Sequence, residues 1–404
     1  MEISEKMQEF VCSHAADDVN TLRLRYVGRK AEALDFSLDL ALVQIEARRK
    51  ARKKLPSYIE NERFIFPTLL SEEQASNEAV ARYHASLMPQ AATILDLTAG
   101  LGIDDFEFAK AGLFVTACEI DPLKCDAIQH NAEALGLSDR ITVENCDSID
   151  YLKSQVKKVD VIFADPARRN ESGGRVHALS DCSPDILAAM PFIRTVSARM
   201  MVKASPLLDV SLIRNTVENL KKIHIVCFRG ECKEVLMDIS ADNAYEGITV
   251  VDLDRDKVIS SFSCDTDVTT DKVSVRYFSG SSPSERKYLY EPNPGMMKVA
   301  DWGALCKAFP DLQKCNANTH IFLSDTFYSG FPGRMLEIAS IPDKKELKAL
   351  KGKKFNVVAR NYPLSAPEIA RKYGIISGGN DYLYGFRCNG IPSLVIARYL
   401  KQDQ

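Results

Sequence analysis

Four carboxylates are the residues of this sequence best placed to do chemistry. Asp96, Glu119, Asp147 and Asp165 each follow a run of apolar residues, in the order of the chain. In an open α/β sheet, ligands bind at the carboxyl ends of the parallel strands. If each apolar run is such a strand, the four side chains line one crevice.

A glycine turn follows the first of these carboxylates. Gly100 and Gly102 let the backbone approach a nucleotide closely, which a Cβ would prevent. Glu119 lies 19 positions after Gly100, about the spacing at which an acidic side chain meets ribose hydroxyls, and Asp147 could accept a hydrogen bond from an adenine amino group. The third glycine of a dinucleotide motif is absent, and Asp104 near the helix start would repel a pyrophosphate. The pattern therefore favours a cofactor without phosphate.

The segment from Glu72 to Asp265 resembles the class I S-adenosylmethionine-dependent methyltransferases, on the four ordered acidic strand ends and the glycine turn. The resemblance implies that the loop 96–102 holds the methionine part of S-adenosylmethionine. It gives Glu119 the ribose and Asp147 the adenine. The cofactor-binding residues that it implies are Asp96, Thr98, Ala99, Gly100, Gly102, Glu119, Ile120, Asp147, Ser148 and Asp165.

The same resemblance assigns the target to Asp165, Pro166, Ala167 and Arg168. Methyl transfer is an in-line displacement that mostly demands alignment, and an amine nucleophile must also lose a proton. The Asp165 carboxylate and the Pro166 carbonyl are the candidate acceptors. Many exocyclic-amine methyltransferases carry a proline and an aromatic residue where this chain has Ala167 and Arg168, although an arginine plane can also stack on a base. We expect Asp165, Pro166 and Arg168 to be the catalytic residues.

The Asp-Pro-Ala-Arg string also looks like the fourth-strand motif of RNA uracil-C5 methyltransferases. Those enzymes need a nucleophilic cysteine after the fifth strand. The matching segment, 203–206, reads Lys-Ala-Ser-Pro and contains no cysteine. Covalent uracil chemistry is therefore not expected.

Basic residues around the target strand are the candidate RNA contacts. Guanidinium forks suit phosphates and planar base edges, and the candidates are Arg168, Arg169, Arg175 and Lys203. Arg168 and Arg169 could instead form ion pairs with Asp181 or Asp185. The loop 169–175 is expected to cover the active site, and His177 beside it is either a base or incidental.

The element pattern predicts an α/β protein in three regions. Residues 1–68 form an N-terminal helical region, and residues 69–265 form a catalytic domain. The catalytic domain is a Rossmann-like, seven-stranded methyltransferase sheet, mostly parallel with one antiparallel strand. Residues 266–404 form a C-terminal α+β region that begins in the polar stretch 261–284. We also predict a helix through 71–80 capped by Ser71, a fifth strand at 199–206 and a strand pair at 222–228 and 233–239.

The end of the chain, about 326–404, resembles a THUMP-like domain. The residues that carry this resemblance are the segments 360–365 and 378–383. THUMP domains bind RNA, so the resemblance implies an RNA partner. Residues 343–372 hold nine basic residues against three acidic ones, which fits RNA binding or an ordinary lysine-rich surface. A second basic run, 48–54, is either a solvated helix end or a phosphate-contacting surface.

Composition indicates an intracellular enzyme. The chain has 404 residues, of which 46% are hydrophobic, and a net charge of −3, so RNA affinity must come from local patches. Its 11 cysteines include no Cys-x-x-Cys pair, which argues for a reducing compartment and against zinc or disulfides. No apolar run has membrane-spanning length. We expect a cytoplasmic protein without a metal or a membrane partner, and the oligomeric state stays open.

Together these patterns predict an S-adenosylmethionine-dependent methyltransferase that modifies a base in structured RNA, either tRNA or rRNA. Two alternatives stay open. One is a catalytically degenerate protein that binds S-adenosylmethionine and RNA as a scaffold. The other is a small-molecule methyltransferase, for which the basic patches would have no role.

Overall fold

The computed structural model describes residues 4–26, 33–155, 157–168, 182–241, 244–255, 257–264 and 274–400. The chain divides into two compact units. The first contains residues 1–221 and 234–245, and the second contains residues 222–233 and 246–404. The predicted N-terminal helical region therefore lies in the same unit as the glycine turn, and the polar stretch 261–284 lies inside the second unit.

Six strands of the first unit carry the candidate site. Their order across the sheet is Glu231–Ser240, Arg199–Ala204, Val161–Ala164, Thr93–Asp96, Phe114–Glu119 and Ile141–Asn145. The last five run parallel to one another, and the first runs antiparallel to Arg199–Ala204. Every residue of Val161–Ala164 is buried, as expected for a central parallel strand covered on both faces.

The helices of the first unit begin and end where the sequence supplies caps. Asp121 accepts a hydrogen bond from the Leu123 N–H, and Pro122 occupies the first helical position. Their bounds are Glu5–Ser13, Val19–Arg25, Leu38–Ala51, Pro56–Glu60, Leu69–Gln74, Glu78–Ser86, Ile103–Lys110, Pro122–Ala134, Ser148–Ser154, Ile186–Val196 and Val210–Thr216. A short strand pair, Ala167–Arg168 with Cys182–Ser183, completes this unit.

The prediction of a single helix through 71–80 with Ser71 as its cap is wrong. Two helices occupy this segment, and they are capped by Thr68 and Asn77 instead of Ser71. The Asn77 side chain accepts a hydrogen bond from the Ala79 N–H, so the second helix starts there. The break between them contains Ser76.

The predicted count of seven strands in the methyltransferase sheet also needs correction. Both predicted strands around Gly230 exist, as Leu220–Phe228 and Glu231–Ser240, joined by a turn in which Arg229 and Gly230 have positive φ. Most of Leu220–Phe228 belongs to the second unit, so six of the expected strands lie in the first. In the second unit, Leu220–Phe228 runs parallel to Ile248–Asp254, which pairs antiparallel with Lys257–Cys264.

The second unit also contains a seven-stranded sheet. Its order is Gln313–Asn316, Thr319–Ser324, Tyr288–Pro292, Gly333–Ser340, Ile391–Tyr399, Ile376–Cys388 and Lys354–Arg360. The helices are Pro294–Val299, Trp302–Ala308, Lys344–Lys348 and Ala366–Tyr373, with a 3₁₀ turn at Pro283–Glu285. The helices Pro294–Val299 and Trp302–Ala308 are separated at Ala300, which has a left-handed φ of 54°.

Within the described ranges, no helix has the length and apolar character needed to cross a membrane. The same ranges contain no group of three or more His, Cys, Asp or Glu side chains arranged to hold a metal ion.

Candidate active site

A cleft of about 820 Å³ lies at the carboxyl ends of the parallel strands in the first unit. The four carboxylates that the sequence indicated, Asp96, Glu119, Asp147 and Asp165, all line it. Their arrangement follows from the topology, because the strands are parallel and therefore end at one edge of the sheet.

The glycine turn is held to the sheet by two of these carboxylates. Asp96 Oδ1 accepts a hydrogen bond of 2.7 Å from the Thr98 N–H, and Glu119 Oε2 accepts one of 3.0 Å from the Gly100 N–H. Gly100 has a φ of +61°, a left-handed conformation that side chains disfavour. Gly102 faces the protein interior, where a Cβ would lie 3.1 Å from the Phe106 ring.

Glu119 and Asp147 lie on the side of the glycine turn that faces away from Asp165. Glu119 Oε1 accepts a hydrogen bond of 2.9 Å from the Asp121 N–H, and the side chain is buried. Asp147 is exposed and caps its helix through Oδ1, which accepts hydrogen bonds from the Ile149 and Asp150 N–H groups. Ile120 lies between the two carboxylates in the chain and is 70% exposed, so an apolar surface borders this end of the cleft.

Asp165 stands at the opposite end of the cleft. Its N–H donates a hydrogen bond of 2.6 Å to Thr98 Oγ1, which ties the target loop to the glycine turn. Its side chain is 44% exposed, and Oδ2 lies 2.6 Å from Lys203 Nζ. Pro166 and Ala167 line the cleft beside it.

Beneath Asp165 lies a cluster of buried charged groups from four separate elements. Lys203 Nζ is 3.4 Å from Asp104 Oδ2 and 3.9 Å from Glu234 Oε2. His84 contacts the same two carboxylates, with Nδ1 at 2.7 Å from Asp104 and Nε2 at 2.5 Å from Glu234. Because a carboxylate faces each ring nitrogen, both nitrogens of His84 can donate only if the ring is protonated.

The pKa shifts in this cluster agree with that geometry. Burial acts to lower the pKa of His84, but Glu234 and Asp104 outweigh it and raise the pKa to about 9. Burial also opposes the charge of Lys203, yet the surrounding carboxylates raise its pKa well above the ordinary value. Burial acts to raise the pKa of Asp104, and Lys203 and His84 hold it well below its usual range. All three groups are therefore charged at neutral pH.

A second buried feature is the carboxyl pair formed by Asp96 and Asp105. Within the described ranges, no group other than the Asp96 carboxyl pairs with the carboxylate oxygens of Asp105. Burial, reinforced by Asp96, raises the pKa of Asp105 well above its ordinary value. Burial also raises the pKa of Asp96, to about 7. The pair therefore retains a proton near neutral pH.

The predicted site residues fall into four groups, one of which is Gly102 alone: it is not among the residues that line the cleft and faces Phe106 and Ile128 instead. Those that line the cleft are Asp96, Thr98, Ala99, Gly100, Glu119, Ile120, Asp147, Ser148, Asp165 and Pro166. Lys203 was expected to contact RNA, but it is 6% exposed and ion-paired beneath Asp165, so it does not offer its ammonium to a phosphate. The Arg168 side chain, Arg169, Arg175, His177 and Asp181 lie outside the described residues.

Sequence reasoning missed three residues of the buried groups, namely His84, Asp105 and Glu234. His84 and Glu234 are 150 positions apart, and no local motif links them. The adjacent acidic residues Asp104 and Asp105 were the only sequence signal for these buried groups. They lie in the first turn of a largely buried helix, where charged side chains need partners inside the protein.

The basic run 48–54 is partly structural. The Arg48 guanidinium donates hydrogen bonds to the backbone carbonyls of Ile59, Asn61, Glu62 and Phe64. The Lys54 ammonium donates to the carbonyls of Glu72 and Glu73. Arg49, Arg52 and Lys53 are exposed, so only part of the run is available to a phosphate.

Three family descriptions match successive parts of the chain. Residues 91–177, which include the glycine turn and Asp165, match the family described as RNA cap guanine-N2 methyltransferase. Residues 288–332 match a ferredoxin-like domain, and residues 333–398 match a family described as THUMP domain-like.

Two curated proteins are similar to parts of this chain. A ribosomal RNA small subunit methyltransferase J of Hydrogenovibrio crunogenus is 37% identical over 93 residues, which are 20% of this chain and 33% of that protein. An uncharacterized RNA methyltransferase of Parasynechococcus marenigrum is 28% identical over 109 residues, which are 27% of this chain and 23% of that protein. The chain thus spans a third or less of the length of these relatives.

One solved structure is similar over nearly the whole chain. The crystal structure described as a "putative methyltransferase" from Porphyromonas gingivalis W83 covers 99% of this chain and 100% of its own, at 24% identity and a TM-score of 0.81. At this identity the similarity establishes the fold. With the family matches, it confirms the predicted fold class: residues 91–177 are similar to a methyltransferase family, and residues 288–332 and 333–398 are similar to ferredoxin-like and THUMP-like domains.

Proposed function

We propose that this protein transfers a methyl group from S-adenosylmethionine to a base in structured RNA. The observation that carries the proposal is the cleft in which Asp96, Glu119, Asp147 and Asp165 meet around the glycine turn. Most of the residues that line this cleft lie within 91–177, the segment that matches a methyltransferase family.

The charge of the cleft fits S-adenosylmethionine. This cofactor carries a positive sulfonium and a positive amino group, and it has no phosphate. Carboxylates outnumber ammonium groups among the residues that line the cleft, where Lys124 is the lysine present. A pyrophosphate would be repelled by the carboxylates that line the cleft, whereas a cationic ligand gains from them. The acidic lining therefore favours a methyl donor over a dinucleotide.

The chemistry assigned to the target end follows from Asp165. When bound, S-adenosylmethionine supplies an activated methyl group, so the protein's main task is to align the nucleophile. The Asp165 side chain reaches the cleft and can accept a hydrogen bond from an attacking amine. The Pro166 carbonyl is a second acceptor on the same loop. Together they would orient an exocyclic amine and accommodate its proton.

RNA is the proposed substrate class. The matched family is described as acting on guanine N2 of RNA caps, and the curated relatives are described as RNA methyltransferases. The exposed lysines on the helix Lys344–Lys348 and on residues 351–354 offer a surface for phosphates. An exocyclic base amine, with guanine N2 first, is the target to test.

The test is transfer of labelled methyl from S-adenosylmethionine to total tRNA and rRNA. We expect incorporation by the wild type and at least a 100-fold lower rate in Asp165→Ala, because the target loop loses its carboxylate acceptor. Asp139→Ala, which removes an exposed carboxylate of the same unit, serves as the matched control and should behave like the wild type.

Each other outcome points to an alternative. Absence of label in RNA, DNA, protein and small molecules, with S-adenosylhomocysteine still bound, would favour the scaffold. Label in a small molecule alone would favour a metabolite methyltransferase. Mass spectrometry of nucleosides from the labelled RNA identifies the modified base and atom.

A further inference from the structure

Lys203 is the one described group that connects the exposed target carboxylate to the buried charged cluster. It lies in the strand Arg199–Ala204, and its ammonium reaches Asp165 Oδ2 at 2.6 Å, Ser76 Oγ at 2.7 Å and Asp104 Oδ2 at 3.4 Å. An ammonium has three donors, and three acceptors surround this one. The position of Nζ is therefore defined from three directions.

The cluster opens to the cleft at one end. The Asp165 side chain is 44% exposed, whereas those of Lys203, Asp104 and Glu234 are between 7% and 10% exposed and that of His84 is fully buried. Asp165 is thus the member of the cluster that a substrate can reach, and the other groups can act on the substrate through it.

The inner groups hold Lys203 in place. Asp104 accepts hydrogen bonds from Ser76 and contacts both Lys203 and His84. Glu234 on the antiparallel strand lies against His84 and within 3.9 Å of Lys203. The two cations Lys203 and His84 lie between the buried carboxylates of Asp104 and Glu234, so removal of one of these four leaves a buried charge unpaired. Such a cluster has little freedom to rearrange.

We infer that Lys203 is a positioning residue: it fixes the Asp165 carboxylate toward the cleft, and the Asp104–His84–Glu234 cluster anchors it from below. This role rests on the proposed methyl transfer, and it goes beyond that proposal by giving a function to a lysine whose ammonium is enclosed by protein side chains. A displacement of the acceptor carboxylate by about 1 Å can lower a rate about 100-fold.

The kinetic test compares Lys203→Met with Arg199→Met. Arg199 lies on the same strand and pairs with the buried Asp238 at 3.0 Å, so its replacement removes a comparable ion pair that does not reach Asp165. We expect Lys203→Met to lower kcat about 100-fold while KM for S-adenosylmethionine and the Kd of S-adenosylhomocysteine change less than 3-fold. Arg199→Met should keep kcat within 3-fold, and Lys203→Arg should recover part of the activity.

A double mutant separates positioning from fold stabilisation. If Lys203 acts through Asp165, adding Lys203→Met to Asp165→Ala lowers kcat by less than 3-fold beyond Asp165→Ala alone. Multiplicative losses in the double mutant, or equal losses of kcat in Lys203→Met and Arg199→Met, would overturn the inference. If Lys203→Met does not fold, the same kinetic comparison with Arg199→Met is made with Lys203→Arg and Ser76→Ala.

A spectroscopic readout keeps this inference separate from the proposed function. The ¹⁵N-ammonium NMR signal of Lys203 should exchange slowly with water and shift in Asp165→Asn but not in Asp139→Asn. If the wild type is inactive but the Lys203 signal still shifts in Asp165→Asn, the result would contradict the proposed function while supporting the Lys203–Asp165 contact. Absence of the shift would contradict the contact itself, whatever the activity.

Discussion

The Glu119 carboxylate stabilises the glycine turn and also lines the cleft. Both of its carboxylate oxygens accept hydrogen bonds from backbone N–H groups, those of Gly100 and Asp121, and the side chain still lines the cleft. Any ligand hydroxyl that reaches this carboxylate meets an acceptor whose orientation is already fixed. Preorganisation of this kind reduces the entropy lost on binding.

We predict that Glu119→Gln weakens S-adenosylhomocysteine binding about 10- to 100-fold, the range for loss of hydrogen bonds to a charged group. The amide also turns an N–H group toward one of two backbone donors, so the glycine turn loses support. Isothermal titration calorimetry measures the Kd. Glu133→Gln, which alters a side chain that is 71% exposed, should bind like the wild type. Equal affinities for Glu119→Gln and the wild type would remove Glu119 from the cofactor site.

The raised pKa of His84 predicts that the stability of the first unit depends on pH. This pKa is raised from 6.5 to about 9, because Glu234 and Asp104 outweigh the effect of burial. A folded-state pKa above the unfolded value stabilises the protein fully below about pH 6.5, and this contribution is lost as the pH rises through about 9. The shift corresponds to about 3 kcal/mol.

We therefore expect His84→Gln to lower the free energy of unfolding by about 3 kcal/mol at pH 6, with a difference that shrinks as the pH approaches 10. Urea unfolding at pH 6, 8 and 10 measures this. His130→Gln, whose ring contacts the Arg63 carbonyl near the surface, is the control and should show no such trend. A difference between His84→Gln and the wild type that stays constant with pH would mean that the ring is neutral.

At the scale of elements, the break between the helices Leu69–Gln74 and Glu78–Ser86 matters for the site. A continuous helix was the sequence expectation, and the break instead brings Ser76 to Asp104 and Lys203. The following helix supplies His84, for which no local sequence motif predicts a role. The way two short helices pack on the sheet thus decides which polar groups lie beneath the cleft.

Gly102 fixes the junction between the glycine turn and the helix Ile103–Lys110. Its φ is +82°, and a Cβ would lie 3.1 Å from Phe106 and 3.2 Å from Ile128. We predict that Gly102→Ala lowers the free energy of unfolding by about 2–4 kcal/mol, from backbone strain together with overpacking. Thermal or urea unfolding measures the effect.

Gly136 provides the matched control for that substitution. It also has a positive φ, +69°, but a Cβ there meets nothing within 4 Å. Gly136→Ala should therefore lower the free energy of unfolding by about 1 kcal/mol, because only backbone strain contributes. Equal losses in the two variants would mean that the packing around Gly102 relaxes freely.

At the scale of the whole molecule, two basic surfaces are candidates for the proposed RNA contact. The lysines of 344–354 are exposed on the second unit. In the N-terminal run 48–54, Arg48 and Lys54 are engaged with backbone carbonyls, which leaves fewer free cations. Because each phosphate contact contributes through counterion release, the two surfaces are distinguished by the salt dependence of RNA binding.

We predict that replacing Lys345, Lys348 and Lys353 with Gln weakens tRNA binding about 10-fold at 0.1 M salt and lowers the salt slope by about 3. Replacing Arg49, Arg52 and Lys53 with Gln removes the same number of charges and should change the Kd less. Fluorescence anisotropy at several salt concentrations measures both, with S-adenosylhomocysteine affinity as a folding control. The reverse order would assign the RNA surface to the N-terminal helices.

The sequence by itself determined the local part of this protein. Strand ends, the glycine turn and the Asp121-Pro122 helix start are encoded by neighbouring residues, so they could be predicted without tertiary information. The order of the acidic strand ends indicated the fold class and the cleft, because parallel strands bring their carboxyl ends to one edge. The roles of individual site residues stay predictions.

Tertiary structure alone decided how those elements combine. His84, Asp104, Lys203 and Glu234 are far apart in the chain, and only the packing of two helices against the sheet brings them together. The same packing buries Lys203, which in sequence looks like an ordinary cation beside the active site. A residue type and its neighbours specify the charge that a side chain can carry, whereas the surrounding fold specifies whether that charge meets solvent, a ligand or another buried charge.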